Sequence, residues 1–185
     1  MQTLKRHPST TTTTTTMTFN KPRRRSVHAM RRRSGTVDDS QWFTDDDERG
    51  VILYDGVCNL CNSAVNFAIE YDADVTGRGS LRFAALQSDA GRAMLVRAGR
   101  DADDISSIVF VERGGVARVK SDAILAIAKR LRAPFPQLSA LGRVFVPRML
   151  GDAVYDLVAN NRYAVLGKRD VCRLGDETHD DRFLS

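Results

Sequence analysis

Two cysteines three positions apart, Cys58 and Cys61, follow an aspartate, Asp55, in the stretch VILYDGVCNLCNSAVNFAIEY from Val51 to Tyr71. Cysteines at this spacing across a strand-to-helix turn lie one helical turn apart. That places their Cα atoms within the ~4.4 to 6.8 Å a disulfide requires, so the bond can open and close without moving the backbone. The same spacing also suits half of a zinc site, and a pair of small residues can simply be buried.

For thiol chemistry the two positions are unequal. Cys58, at or just before the helix start, meets free N–H groups and the positive end of the helix dipole, which stabilise a thiolate, so it is expected to be the exposed, attacking thiol. Cys61, one turn further on, is expected to be shielded, of higher pKa, and to resolve the mixed disulfide. Asp55 has two roles open to it. It can accept hydrogen bonds from the backbone N–H groups of Val57 and Cys58 and so order the turn with Gly56, or it can take the Cys61 proton as a general base.

A zinc reading would need further donors. Cys172 and His179 are available, but the six-residue gap between them fits no common zinc spacing, and no metal is expected. Arg162 and Tyr163, in NNRYAVLGKRD, either position a substrate or cap and pack a helix end. Phe83, Gln87 and Ser88 read as a strand end and a helix cap. Other enzyme classes lack their residues: Val57 stands where a phosphoaspartyl hydrolase needs a second Asp, and Ala64 where a cysteine phosphatase needs Arg. There is no glycine-rich phosphate loop.

The elements that must hold the cysteines follow from hydrophobic periodicity. Val51 to Asp55 reads as a buried strand, Asn59 to Tyr71 as a helix stopped by Gly77 to Gly79, Leu81 to Leu86 as a second strand, and Asp89 to Ala98 as a helix opened by Ser88 or Asp89. Ser107 to Glu112 and Val116 to Lys120 form a hairpin across Arg113 to Gly115. Ser121 or Asp122 is expected to cap the next helix, which stops before Pro134. Beyond it, Ser139 to Leu150 is helical but interrupted by Pro147, and Asp152 to Asn161 is amphipathic, with Val154, Leu157 and Val158 on one face. The order implies an α/β domain of thioredoxin type, a mixed sheet with flanking helices and a helical C-terminal extension.

Charge divides the 185 residues unevenly. Residues 1–37 hold nine Lys or Arg, no acid and the Thr run Thr10 to Thr16; Asp38 to Glu48 holds six acids, and residues 49–185 carry nineteen bases against seventeen acids. The basic balance therefore belongs to the N-terminus, and the domain has no electrostatic case for nucleic acid. Residues 1–48 are expected to be a disordered leader and 49–185 the folded domain. A hydroxyl-rich, Arg-rich, acid-free start resembles an organellar transit peptide; a tail without an address, on a cytoplasmic protein, is the alternative. No apolar run approaches the ~20 residues of a membrane span.

YDGVCNLCN resembles the Asp-x-x-Cys-x-x-Cys signature of the DCC thiol-disulfide oxidoreductase family, a thioredoxin-like group. FAALQS (Phe83 to Ser88), VKSDAIL (Val119 to Leu125), the run from Pro147 to Cys172 and the closing RFL are similar to its later blocks. The resemblance implies catalysis by Cys58, Cys61 and Asp55 without a dissociable cofactor, acting on a thiol or disulfide of a protein or small molecule, with an external thiol reductant. Because plastid members carry N-terminal extensions, it also favours the plastid over the mitochondrion. Thioredoxins proper place a cis-proline before the third strand, where this chain reads DDISSIV. A non-catalytic binding module, or a Cys-based zinc domain, is the competing expectation.

Overall fold

In a computed structural model the described residues are 42–185; the leader expected over residues 1–48 lies almost wholly outside them. Five strands, β1 (Gly50–Tyr54), β2 (Leu81–Ala85), β3 (Val109–Glu112), β4 (Val116–Val119) and β5 (Phe183–Leu184), form one sheet in the order β4-β3-β1-β2-β5. Five helices flank it: α1 (Asn59–Glu70), α2 (Asp89–Arg97), α3 (Lys120–Ala128), α4 (Phe135–Phe145) and α5 (Arg148–Leu166). This is the expected mixed α/β architecture. β1 runs parallel to β2, β2 parallel to β5, and the β3–β4 hairpin joins β1 antiparallel through β3.

β1 and, Arg82 apart, β2 are apolar runs because helices cover both faces, and every residue in them is buried. Alternation at period two divides their side chains. Ile52, Tyr54, Phe83 and Phe110 pack with Val65 of α1 and Ala123 and Ile127 of α3. Val51, Leu53, Ala84 and Val111 pack on the other face with Met94 and Leu95 of α2. Trp42 and Phe43 belong to that second cluster, at 7% and 3% exposed, so packing starts ahead of the boundary expected at residue 49.

Ser88 caps α2 as expected, its hydroxyl accepting from Gly91 N–H at 3.0 Å. Neither Ser121 nor Asp122 caps α3. Lys120 adopts a left-handed backbone, φ +52°, that turns the chain from β4 directly into the helix, and Val119 occupies the cap position without a side-chain bond. Ser121 Oγ donates instead to Asp152 of α5, and Asp122 pairs with Arg143 of α4 at 3.0 Å. Pro147 breaks the helical run as expected, standing at the N-cap of α5, which extends well past the amphipathic stretch read over Asp152 to Asn161. Val154, Leu157 and Val158 are each at least half exposed, so that stripe faces away from the sheet core. The closing RFL supplies β5, a pairing too short for periodicity to announce.

Phe43 is buried with the Arg82 guanidinium 5.1 Å from its ring centroid, whereas Val75 is 81% exposed. Phe43→Ala should therefore destabilise the protein by about 3–5 kcal/mol, and Val75→Ala by no more than about 0.5 kcal/mol. Urea unfolding followed by the fluorescence of Trp42, the single tryptophan, measures both. Equal midpoints for the two variants would mean that residues 42–43 are not part of the cooperative core.

Candidate functional site

The parallel register pairs Tyr54 with Ala85, so β1 and β2 end side by side and the residues after them meet. Asp55 follows β1 and is 3% exposed. Its Oδ1 accepts from Val57 N–H at 3.2 Å and from Gln87 Nε2 at 2.7 Å. Cys58 N–H, expected on the same carboxylate, bonds the Asp55 backbone carbonyl at 3.2 Å. Gln87 Oε1 accepts from Gly56 N–H at 3.0 Å, and the buried Asn62 amide donates to the carbonyls of Gly56 and Cys58. Gly56 is required here: a Cβ would lie 2.4 Å from Cys172 Sγ.

Cys58 is the N-cap of α1, and its sulfur accepts from Cys61 N–H at 3.3 Å. All three cysteines are free. Burial, first of all, pushes the Cys61 thiol up; its hydrogen bond to Cys58 and the negative fields of Cys58 and Asp55 add to this, while Arg162 pulls the other way.

The exposure expected of the pair is reversed. Cys58 is fully buried and Cys61 is half-buried. The cover is the segment after α5: Gly167 C=O accepts from Asn59 N–H at 3.4 Å, Arg169 N–H donates to Val57 C=O at 2.8 Å, and Arg173 N–H to Gly56 C=O at 3.0 Å. Lys168 bridges to Cys58 in antiparallel fashion. Nothing in the local sequence of the turn announces this strap from a hundred residues downstream.

α5 also delivers Arg162 and Tyr163 to the turn. The Tyr163 hydroxyl donates to Asp55 Oδ2, and Arg162 donates to the same oxygen at 3.3 Å. Burial and then the bond to Asp55 push the Tyr163 hydroxyl up, with Arg162 opposing. Burial works against the Arg162 charge, but its pairing with Tyr163 and Asp55 more than offsets this, and its pKa is raised. Both Asp55 oxygens therefore carry two donors, which fills the acceptor positions of an ionised carboxylate.

Cys172 sits over this same turn, half-buried, its thiol 3.7 Å from Gln87 Oε1. Burial and then Asp55 push that thiol up. His179 is elsewhere, hydrogen-bonded to Asp176 at 3.4 Å. Among the described residues no three His, Cys, Asp or Glu side chains gather as a metal site would need. Gln87, Asn62 and the placement of Cys172 are the features of the site that periodicity missed; the FAALQS block contains Gln87, but only the strand register shows that it reaches Gly56 and Asp55. A cavity of about 600 Å³ between α1, α3 and α5 reaches this site, with Cys61, Asp55 and Arg162 at one end.

A sequence model of the DCC1-like thiol-disulfide oxidoreductase family matches residues 52–168. A chloroplastic DCC family protein of Arabidopsis thaliana is 46% identical over 138 residues, which is 75% of this chain and 77% of the relative. The uncharacterized protein YuxK of Bacillus subtilis is 40% identical over 139 residues, 72% of this chain and 93% of the relative. No solved structure matches the chain. The chain belongs to the DCC1-like thiol-disulfide oxidoreductase family.

The shared carboxylate makes Asp55 and Tyr163 energetically inseparable. Tyr163→Phe removes one donor and should cost about 1–3 kcal/mol; Asp55→Asn leaves Arg162 with a neutral partner and should cost about 3 kcal/mol or more. Combined in a double-mutant cycle on urea stability, the two should couple by more than about 1 kcal/mol. Simple additivity would show that α5 is not held through Asp55.

Proposed function

We propose that this DCC1-like chain exchanges thiols and disulfides through the Cys58–Cys61 pair, with Cys58 as nucleophile, Cys61 as resolving thiol and Asp55 as the anion that orders the turn. The observation that carries the reading is the N-cap geometry of Cys58: its sulfur accepts the Cys61 N–H at the start of a twelve-residue helix, where the positive end of the helix dipole faces it.

The Cys58 thiolate attacks one sulfur of a substrate disulfide; a Cys58–substrate S–S bond forms, the substrate S–S bond breaks, and a substrate thiolate leaves. Cys61 then gives up its proton to the departing side and attacks Cys58 Sγ. The intramolecular disulfide forms, the second substrate thiol is released, and an external thiol pair reduces the enzyme again. The substrate is a disulfide in a protein or small molecule. Asp55 has both oxygens filled by donors, which supports positioning rather than proton transfer. Attack by Cys58 further requires the strap from Gly167 to Arg173 to lift, since that segment is bonded to the backbone on both sides of the buried Cys58.

Cys61→Ser should accumulate a mixed disulfide with glutathione and Cys58→Ser should not, as intact-mass spectrometry would read. Because the Cys61 pKa is raised, its thiolate fraction climbs as pH rises from neutral into the alkaline range. Resolution in the wild type should therefore accelerate with pH while its mixed disulfide becomes shorter-lived. Arg169→Pro removes the N–H that closes the strap on Val57 and should speed trapping in the Cys61→Ser background. Equal trapping by both cysteine variants would reject the order of attack.

The acid-free, Thr- and Arg-rich N-terminus and the likeness to a chloroplastic relative together support import into an organelle, with the plastid favoured over the mitochondrion. Residues 1–48 fused to a fluorescent protein should accumulate in plastids; a diffuse cytosolic signal would remove the targeting claim, and a mitochondrial one would move it.

A further inference from the structure

We infer that the cavity beside Cys61 binds a lipophilic quinone, which takes two electrons from the cysteine pair; this rests on the redox reading above and names its electron acceptor. The volume, about 600 Å³, is that of a small-molecule site. Its walls are almost wholly apolar, among them Ala64 of α1, Ile124 of α3, and Val154 and Val158 of α5. Ile124, Val154 and Val158 are 46%, 56% and 50% exposed, so the protein leaves apolar surface at the mouth that an apolar body would cover.

The chemistry at the inner end selects the head group. Cys61, Tyr155 and Arg162 line the cavity there. Tyr155 Oη already accepts from Ile108 N–H at 2.8 Å, leaving its hydroxyl proton to give. Arg162 Nε is buried without a hydrogen-bond partner, and the Cys61 thiol, pushed up in pKa by burial, is a further donor. The acceptor in the group is Asp55, whose oxygens are taken by Val57, Gln87, Arg162 and Tyr163. A fitting head group therefore offers acceptors rather than donors. A carboxylate suits it less, because the Arg162 charge is already matched by Asp55 at 3.3 Å. A peptide suits it less again, because apolar walls cannot satisfy backbone N–H and C=O groups. An uncharged apolar body carrying carbonyl oxygens satisfies all of these conditions, and among such bodies a quinone accepts the two electrons a dithiol gives.

The step balances. Cys61 sulfur adds to a ring carbon and its proton passes to a quinone oxygen. The Cys58 thiolate then attacks Cys61 Sγ, the S–S bond forms, the carbon–sulfur bond breaks with its electron pair going to the ring, and a solvent proton completes the hydroquinone. The dithiol is oxidised and the quinone reduced. The division of the pair fits this use, since Cys61 lines the cavity while Cys58 lies under the strap.

The test mixes the reduced full-length chain with a decyl-substituted benzoquinone without oxygen, following hydroquinone absorbance and thiol loss, with glutathione disulfide as the comparison oxidant. Ala64→Trp and Val158→Trp fill the cavity from exposed positions on two different helices. The expected result is saturable quinone reduction by the wild type, a loss of at least about tenfold in kcat/KM for quinone in both variants, and glutathione disulfide kinetics within about twofold of wild type. Quinone kinetics unchanged in both variants, a wild-type rate that never saturates, or displacement of bound quinone by equimolar decanoate would overturn the proposal. The Cys58→Ser, Cys61→Ser double variant, in equilibrium dialysis, should still bind quinone. Binding there without hydroquinone formation by the wild type overturns the electron transfer, whereas quinone reduction with no glutathione disulfide exchange supports it and counts against thiol exchange alone.

Discussion

The carboxylate of Asp55 is the junction on which the rest of the site depends. It receives donors from three places in the chain: Val57 in the turn, Gln87 after β2, and Arg162 and Tyr163 on α5. Burying one carboxylate costs several kcal/mol, and hydrogen bonds to a charged group return about 1.5–3 kcal/mol each. Four such bonds offset that penalty. What it determines is position: a neutral residue at 55 would not draw a guanidinium and a phenol from α5 onto the motif turn.

A second buried ion pair acts on the other side of the strap. Arg182 is 3% exposed and bonds Asp72 Oδ2 at 2.5 Å and Leu81 C=O at 3.0 Å. Asp72 also accepts from the Asp74 and Ser80 N–H groups. That pair anchors the chain immediately before β5, as Asp55 anchors α5. The intervening residues are thus tied at both ends, and the Gly167–Arg173 segment is laid along the turn, where Val57 and Gly56 supply carbonyls.

Much of this was legible in the sequence, and the reason for each success or failure is physical. β1, β2, α1 and α2 were readable because their apolar spacing reflects burial on a single sheet, and Ser88 because a cap is a local interaction. The closeness of Cys58 and Cys61 follows from three-residue spacing at a helix start, and the upward direction of the Cys61 shift from its burial one turn inside. What failed depended on contacts distant in sequence. Ser121 and Asp122 have the right chemistry for a cap, yet the left-handed turn at Lys120 leaves no N-cap position for them, and α4 and α5 claim both side chains. Cys58 was expected to be exposed because a helix N-terminus usually faces solvent; here the strap, more than a hundred residues away, covers it. Gln87 looked like a strand end because its partners, Asp55 and Gly56, become neighbours only once β1 and β2 pair in register.

The two sulfurs consequently face different surroundings although they stand one helical turn apart. Cys58 has its helix-end donor and its proximity to Cys61 in a place closed by backbone hydrogen bonds; Cys61 has an apolar cavity, a raised pKa and Arg162 beside it. In a symmetric, open pair, either thiol would meet the same reactants and the disulfide would be exposed to any passing thiolate. In the proposed exchange, a reactant reaching Cys58 from solvent must displace the strap, and one reaching Cys61 through the cavity must be apolar. In that proposal access, rather than the identity of Asn59 and Leu60 between the cysteines, separates the partners of the pair, and it is set by Asp55 and Asp72 through the helix and strand they hold.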